Sequence, residues 1–229
     1  MPPSPSLSSV SRRSPAPVSD KREAILAAAT SVFARRGFFQ AQVADVARLA
    51  GVAAGTVYLY FRGKDDLLVS LFEKTMRAAL AEGRTALDGV PDAAERLRRI
   101  ARLHLQRLGR DRNLAIVFQV ELRQTTKFMQ QFSSTYLRDY LELIQQTIAG
   151  GQQAGTLRAD INARTAAKMF FGALDEMATN WILSDRRYEL DAEADAVVDL
   201  FVNGIGPRRR PAKSRPPRSI PRLSAKERR

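Results

Sequence analysis

Apolar residues recur at helical spacing along most of the chain and nowhere alternate as a half-buried strand requires. Asp20 to about Arg36 sets Ile25, Ala28, Ala29, Val32 and Phe33 on one side, with Gly37 to end it. Val43, Val46, Ala47 and Ala50 give a second, short helix one buried face, and Gly51 follows where a helix stop needs positive φ. Val52 plugs the corner. A third short helix turns Val57, Tyr60 and Phe61 inward. Lys64 to about Leu87 reads as one long helix, stopped by Gly89-Val90-Pro91. A basic amphipathic helix runs from about Asp92 to Leu108, and a short one from about Asn113 to Gln124, broken at Thr125-Thr126. Lys127 to about Gln153, Asn162 to about Ser184 and Asp191 to about Ile205 complete the set. The pattern predicts an all-α fold of about nine helices.

The second and third helices are the informative pair. Once Val57, Tyr60 and Phe61 point inward, Ala54, Gly55, Thr56, Tyr58 and Leu59 are left outside. A small, aromatic, hydrogen-bonding outer face is what the major groove of DNA admits. The spacing alone also fits a helix–corner–helix that only packs.

The helix over 162–184 is apolar around about 200° of its circumference, twice what one neighbour needs. Met169, Ala173, Met177, Phe170, Leu174 and Trp181 all contribute. One face is expected inside the chain and the other on a twin, with the 191–205 helix beside it in a four-helix homodimer interface. The alternative buries both faces within one chain. Twofold symmetry favours the dimer, because paired reading helices take half-sites about 34–36 Å apart.

Charge changes the picture less than its total suggests. The net charge is +13, but residues 207–229 carry ten Lys/Arg against one Glu. That tail and the Pro- and Ser-rich residues 1–19 are expected to be disordered. The tail either adds non-specific DNA affinity or is merely solvated. Residues 20–64 hold seven Lys/Arg against three Asp/Glu, a local excess suited to phosphates. There is no cysteine, one histidine and no apolar run long enough to span a membrane, so a cytoplasmic, non-enzymatic protein without a metal site is expected. His104 falls on an apolar stripe with Ile100 and Leu108, either as a satisfied core histidine or as a ligand's hydrogen-bond partner.

Residues 113–140 hold Phe118, Leu122, Phe128, Phe132 and Tyr136, with Gln119 and Arg123 one turn apart. These are either core, with Arg123 paired to Glu121 or Asp139, or the wall of a pocket for a hydrophobic small molecule.

The run GVAAGTVYLYFRGKDDLL resembles the DNA-binding signature of TetR-type transcriptional repressors, carried by Gly55, Thr56, Val57, Tyr58, Tyr60, Phe61 and Lys64. Two departures stand out. Ala41 and Gln42 occupy places where that family often has Thr or Ser, and Ala53 and Ala54 occupy places where it often has Ser-Lys. Gln42 can reach a phosphate as a longer substitute, but the operator sequence cannot be borrowed from relatives. The resemblance implies that Thr56, Tyr58, Tyr60 and Lys64 hold phosphates, Gly55 allows close backbone approach and Leu59 touches a thymine methyl.

Further along, DRNLAIVFQVELRQ and MFFGALDEMATNWILSDRRYEL resemble the TetR subgroup that controls fatty-acid degradation and responds to long-chain acyl-CoA. This implies a helix-turn-helix domain over 20–64 and an effector-binding and dimerisation domain over 65–206. His104, Phe118, Gln119, Leu122, Arg123, Phe132, Tyr136, Phe170, Leu174, Met177 and Trp181 are then the effector residues, with Arg123, ahead of Arg110 and Arg112, near the coenzyme phosphates. A repressor answering to a drug or another hydrophobic metabolite is the nearest alternative. A helical adaptor without an effector is the alternative from a different class.

Overall fold

The computed structural model describes residues 18–124, 136–185 and 188–205, side chains at 18, 19 and 205 excepted. Within those ranges lie nine α-helices and no strand, as the apolar spacing predicts. The first, α1 (Val18–Arg36), buries Ile25, Ala28, Ala29, Val32 and Phe33. It is followed by α2 (Val43–Ala50), which ends at Gly51 with φ of 69°, a left-handed turn that a side chain would strain. The reading helix α3 (Ala54–Tyr58) has only five residues, with Val57 buried beneath it.

The spine is α4 (Lys64–Leu87). Its first turns send Leu67, Leu68, Leu71 and Phe72 into the core beneath α1–α3, and Met76, Leu80 and Leu87 serve a second core. The head's core thus runs past residue 64 to Phe72. It also takes in Val117 and Leu122 from far along the chain.

Next comes α5 (Ala93–Arg110), capped by Asp92, whose carboxylate accepts from the Glu95 N–H at 2.7 Å. The stretch expected as one helix over 113–124 is three pieces. A short α6 (Arg112–Ile116) gives way to a π-turn at Val117–Glu121 and a 3-10 turn at Leu122–Gln124. The expected break at 125–126, the start of the long helix at 127, and Phe128, Met129 and Phe132 lie outside the described residues, as do both terminal arms. The chain continues through α7 (Tyr136–Gln153), α8 (Ala163–Leu183) and α9 (Ala194–Ile205).

The larger domain is built around α5, which packs against α4, α7, α8 and α9. Leu97, Ile100, Ala101, Leu105 and Leu108 form its buried stripe. Its arginines tie the neighbours down: Arg98 reaches Asp195 and Asp199, Arg102 reaches Asp195, and Arg99 donates to the Ala86 carbonyl at 2.9 Å. Helix α8 spends Ala166, Ala167, Phe170, Leu174, Ala178, Trp181 and Ile182 inside the chain. Its opposite side leaves Met169 65% exposed and Leu183 74% exposed, and Leu200 of α9 is 78% exposed. Most of the wide apolar circumference is therefore spent inside the chain, with Phe171 and Met177 also packed on its core, and among the large apolar residues of the two helices only Met169, Leu183 and Leu200 stand exposed.

Close approach has a cost at Gly151, in α7. A Cβ there would lie 2.7 Å from the Ala93 Cβ and 2.7 Å from a Leu157 methyl. Gly151→Ala should therefore destabilise the protein by about 1–3 kcal/mol. A thermal melt identical to that of the unsubstituted protein would contradict this packing.

Candidate functional site: a reading head joined to an apolar cavity

The outer face of α3 is what the apolar spacing expects. Ala54 and Gly55 are exposed, Tyr58 is 58% exposed and Leu59, the cap residue, 82% exposed; Thr56 is half-buried. A Cβ on Gly55 would meet nothing within 4 Å, and its φ is not positive, so the fold itself does not require glycine there. Gln42 stands exposed at the N-cap of α2 and makes no side-chain cap. Tyr60 is half-buried and packs against the head's core, its ring 6.5 Å from that of Phe61.

Lys64 departs from expectation. Its ammonium donates to the carbonyls of Phe38 at 3.1 Å, Phe39 at 2.9 Å and Ala41 at 3.4 Å, and lies 4.9 Å from the Phe38 ring centroid. The structure assigns those donors to the loop between α1 and α2, where a phosphate role was expected. Opposite this clamp is a second one. The backbone N–H of Phe38 donates to Glu121 at 2.6 Å, and this carboxylate is 5% exposed. The same carboxylate accepts from Gln124 at 3.2 Å and lies over Gly37, whose φ is 74°. The α1–α2 loop is thus fixed to the π-turn of the larger domain.

The other side of that turn faces a cavity of about 230 Å³ enclosed by α4, α5, α7 and α8. Its wall is mostly apolar: Met76, Ile100, Leu108, Leu143, Phe171 and, from the turn, Phe118 and Leu122. The polar exceptions include Arg107, which pairs with Glu82, and a set around Asp175. Gln119 donates to Asp175 at 2.8 Å, Arg123 pairs with the other carboxylate oxygen, and Thr179 donates to Gln119 at 3.2 Å. His104 is part of the wall, with Nδ1 3.2 Å from the Tyr140 hydroxyl and a buried Nε2 that has no hydrogen-bond partner. Removal from water pushes its pKa down to about 4; Asp175 opposes this and Arg107 adds to it. The ring is neutral near pH 7. It is not the fully satisfied core histidine that was one expectation.

A second groove, between α7 and α8, is lined by Arg138, Arg164, Lys168 and Glu142. Leu137 lines both this groove and the cavity.

Of the expected effector residues, His104, Phe118, Gln119, Leu122 and Arg123 meet at the cavity. Five others do not line it. Tyr136 turns away and accepts from Arg77 at 3.0 Å. Phe170 and Leu174 are fully buried in the second core, Phe170 against Phe201, and Met177 packs on the same core. Trp181 donates to the Tyr188 carbonyl at 2.9 Å, with Arg112 over its ring. Helical direction separates the last four: Phe170, Leu174, Met177 and Trp181 share α8 with Phe171 and Asp175 but look to other neighbours. Arg112 is also corrected, because it donates to the carbonyls of Trp181 and Ile182 and so closes the end of α8. Arg123 is held by Asp175, not by either expected partner. Asp175 and Tyr140 were missed, and an acid set among Phe171, Leu174 and Ala178 was the available signal for the first. Among the described residues no group of three His, Asp or Glu is placed to hold a metal ion, and no helix is long and apolar enough to cross a membrane.

Residues 25–71 match the tetR family of bacterial regulatory proteins, and residues 72–204 match the C-terminal region of YsiA-like proteins. The chain belongs to the TetR family. This TetR regulator is 38% identical to the fatty acid metabolism regulator protein of Bacillus subtilis over 181 residues, covering 79% of this chain and 93% of that one. Its fold matches that of the fatty acid degradation regulator FadR from Bacillus halodurans, with a TM-score of 0.77, 36% identity, and 84% and 98% of the two chains covered. It also matches Bacillus subtilis FadR in complex with stearoyl-CoA, with a TM-score of 0.75, 37% identity, and 80% and 98% covered. The chain is a TetR-family transcription regulator and not an enzyme.

Two outcomes follow for the head. Gly55→Ala should leave stability unchanged or raise it by up to about 1 kcal/mol, since helices favour alanine. The same change should weaken operator binding about tenfold or more, because the new methyl stands between backbone and DNA; unaltered operator affinity in a mobility-shift titration would refute the close approach. Glu121→Ala should cost about 1–3 kcal/mol by orphaning the Phe38 N–H, whereas Glu121→Gln keeps an acceptor and most of the stability. Equal denaturation midpoints for the two variants would show that this bond does not hold the head.

Proposed function

We propose that this regulator represses fatty-acid degradation genes and leaves its operator when a long-chain acyl-CoA binds the cavity. The observation that carries this is an apolar cavity beside a groove bearing three cations, with Leu137 in the wall of both. An acyl-CoA has that shape and charge: a hydrocarbon chain at one end and phosphates at the other. Burial of a chain contributes about 0.8 kcal/mol per CH₂, so roughly twelve carbons supply about 10 kcal/mol before ordering costs. Arg138, Arg164 and Lys168 take the phosphates in this reading, in place of Arg123. The likeness to the FadR that was solved with stearoyl-CoA supports the same ligand class.

The exposed apolar residues of α8 and α9 meet a second copy of the chain, giving a homodimer with two reading heads. Gln42, Ala54, Gly55, Thr56, Tyr58 and Leu59 then face operator DNA in the cytoplasm. Release requires the ligand to prefer the DNA-incompetent arrangement; tight binding alone shifts nothing. The segment 117–124 suits that task, since Phe118, Gln119 and Arg123 touch the cavity while Glu121 holds Phe38. A coupling of about 1–3 kcal/mol corresponds to a 5- to 150-fold loss of operator affinity.

Operator retention titrated with stearoyl-CoA and with stearate tests this. Stearoyl-CoA should release the operator at micromolar concentration and stearate should not. The double variant Arg164→Ala, Lys168→Ala should need about tenfold more stearoyl-CoA while keeping ligand-free operator affinity. Release by stearate at equal concentration, or an unchanged double variant, would overturn the phosphate assignment. Failure of every acyl-CoA to release the operator would leave a TetR repressor with another hydrophobic effector.

A further inference from the structure

Resting on the acyl-CoA reading, we propose that His104 is the specificity-determining donor for the thioester carbonyl, its Nε2–H bonding the oxygen that joins chain to coenzyme. The argument starts from counting unsatisfied groups. Two neutral tautomers are possible for the His104 ring beside the Tyr140 hydroxyl. If Nδ1 carried the proton, it would donate to the hydroxyl oxygen, and the Tyr140 O–H would be left without an acceptor in a buried place. If Nε2 carries it, the Tyr140 O–H donates to Nδ1 and only the Nε2–H remains unmet. The second arrangement leaves fewer buried groups without partners. Burial also pushes the Tyr140 pKa up, which keeps its phenol a donor.

One buried N–H donor therefore remains, on a residue of the cavity wall. No acceptor of the described residues reaches it. The neighbouring Phe171 ring stands edge-on at 5.9 Å, and the Asp175 carboxylate is drawn to Gln119 and Arg123. A hydrocarbon ligand would bury this N–H and leave it unmet. A ligand carrying a carbonyl at this depth would satisfy it. The placement along the cavity agrees. Tyr140 is about one turn along α7 from Leu137, which lines both cavity and cationic groove, and Phe171 is about one turn along α8 from Lys168. The partners of His104 thus lie within about one helical turn of residues that line the cationic groove, the place for a carbonyl between chain and head group.

The test compares stearoyl-CoA with S-octadecyl-CoA, a thioether that lacks only the carbonyl. By calorimetry the native protein should bind the thioester about 3- to 10-fold more tightly, the range of one hydrogen bond. His104→Phe should bind the two alike, mainly by weakening the thioester. His104→Gln, which keeps an N–H donor, should recover part of the preference. Tyr140→Phe frees the tautomer without emptying the site and should reduce the preference; it carries the test should His104→Phe fail to fold. Equal affinity of the native protein for both ligands would overturn the assignment and leave the acyl-CoA reading standing. Persistence of the preference in His104→Phe, or in Tyr140→Phe where that variant must serve, would overturn it as well. Binding of neither ligand would sink both readings.

Discussion

One hydrogen bond makes two domains behave as one object. The Phe38 N–H belongs to the loop that orients the reading helices, and Glu121 belongs to a turn in the wall of the cavity. The bond is short and buried, and its acceptor is a carboxylate, so neither group can fall back on water. Lys64 grips the same loop through its carbonyls from the other side. Donors and acceptors of one short loop are thus held by two different parts of the chain. The position of the head is set by these clamps and by Val117 and Leu122, which complete its core.

The irregular backbone at 117–124 follows from that demand. A straight helix continuing from α6 places side chains every 100° and would need one stripe for the head and another for the cavity. A π-turn followed by a 3-10 turn changes the angular step within eight residues. Val117 and Glu121 then serve the head, Gln119 and Arg123 reach the cavity and Asp175, and Phe118 and Leu122 touch both. The head's core and the cavity wall are thereby joined through one turn. A sensing protein needs such an element, because a coupling free energy requires groups that contribute to both states.

Charge along the chain was the least reliable guide to function. The basic stripe of α5 looks like a phosphate surface in one dimension. In three dimensions its arginines satisfy carboxylates of α9 and the carbonyls that end α4. Arg112 and Arg123, both attractive for coenzyme phosphates, are likewise spent on α8. The cations left facing a groove, Arg138, Arg164 and Lys168, sit in a sequence that gives no hint of them until α7 and α8 are set side by side. Long cationic side chains reach far enough to choose among several partners, so sequence position alone does not assign them.

Apart from the broken backbone over 112–124, which it did not fix, the sequence by itself determined most of the helices and the helix-turn-helix pair. Local spacing controls those features: Val46, Ala47 and Val57 bury one face, and Gly51 ends α2 in the only geometry that suits it. It also carried the family, because the Gly55–Lys64 signature is contiguous. Tertiary structure decided which apolar residues are cavity and which are core. Phe170 and Phe171 are neighbours in the chain, yet one packs on Phe201 and the other beside His104. Successive residues on a helix point 100° apart, and what stands in each direction depends on helices far away in the sequence. The same reason hid Glu121, Asp175 and Tyr140. Each acts through a partner at least 36 residues distant, and no local pattern records such a partner.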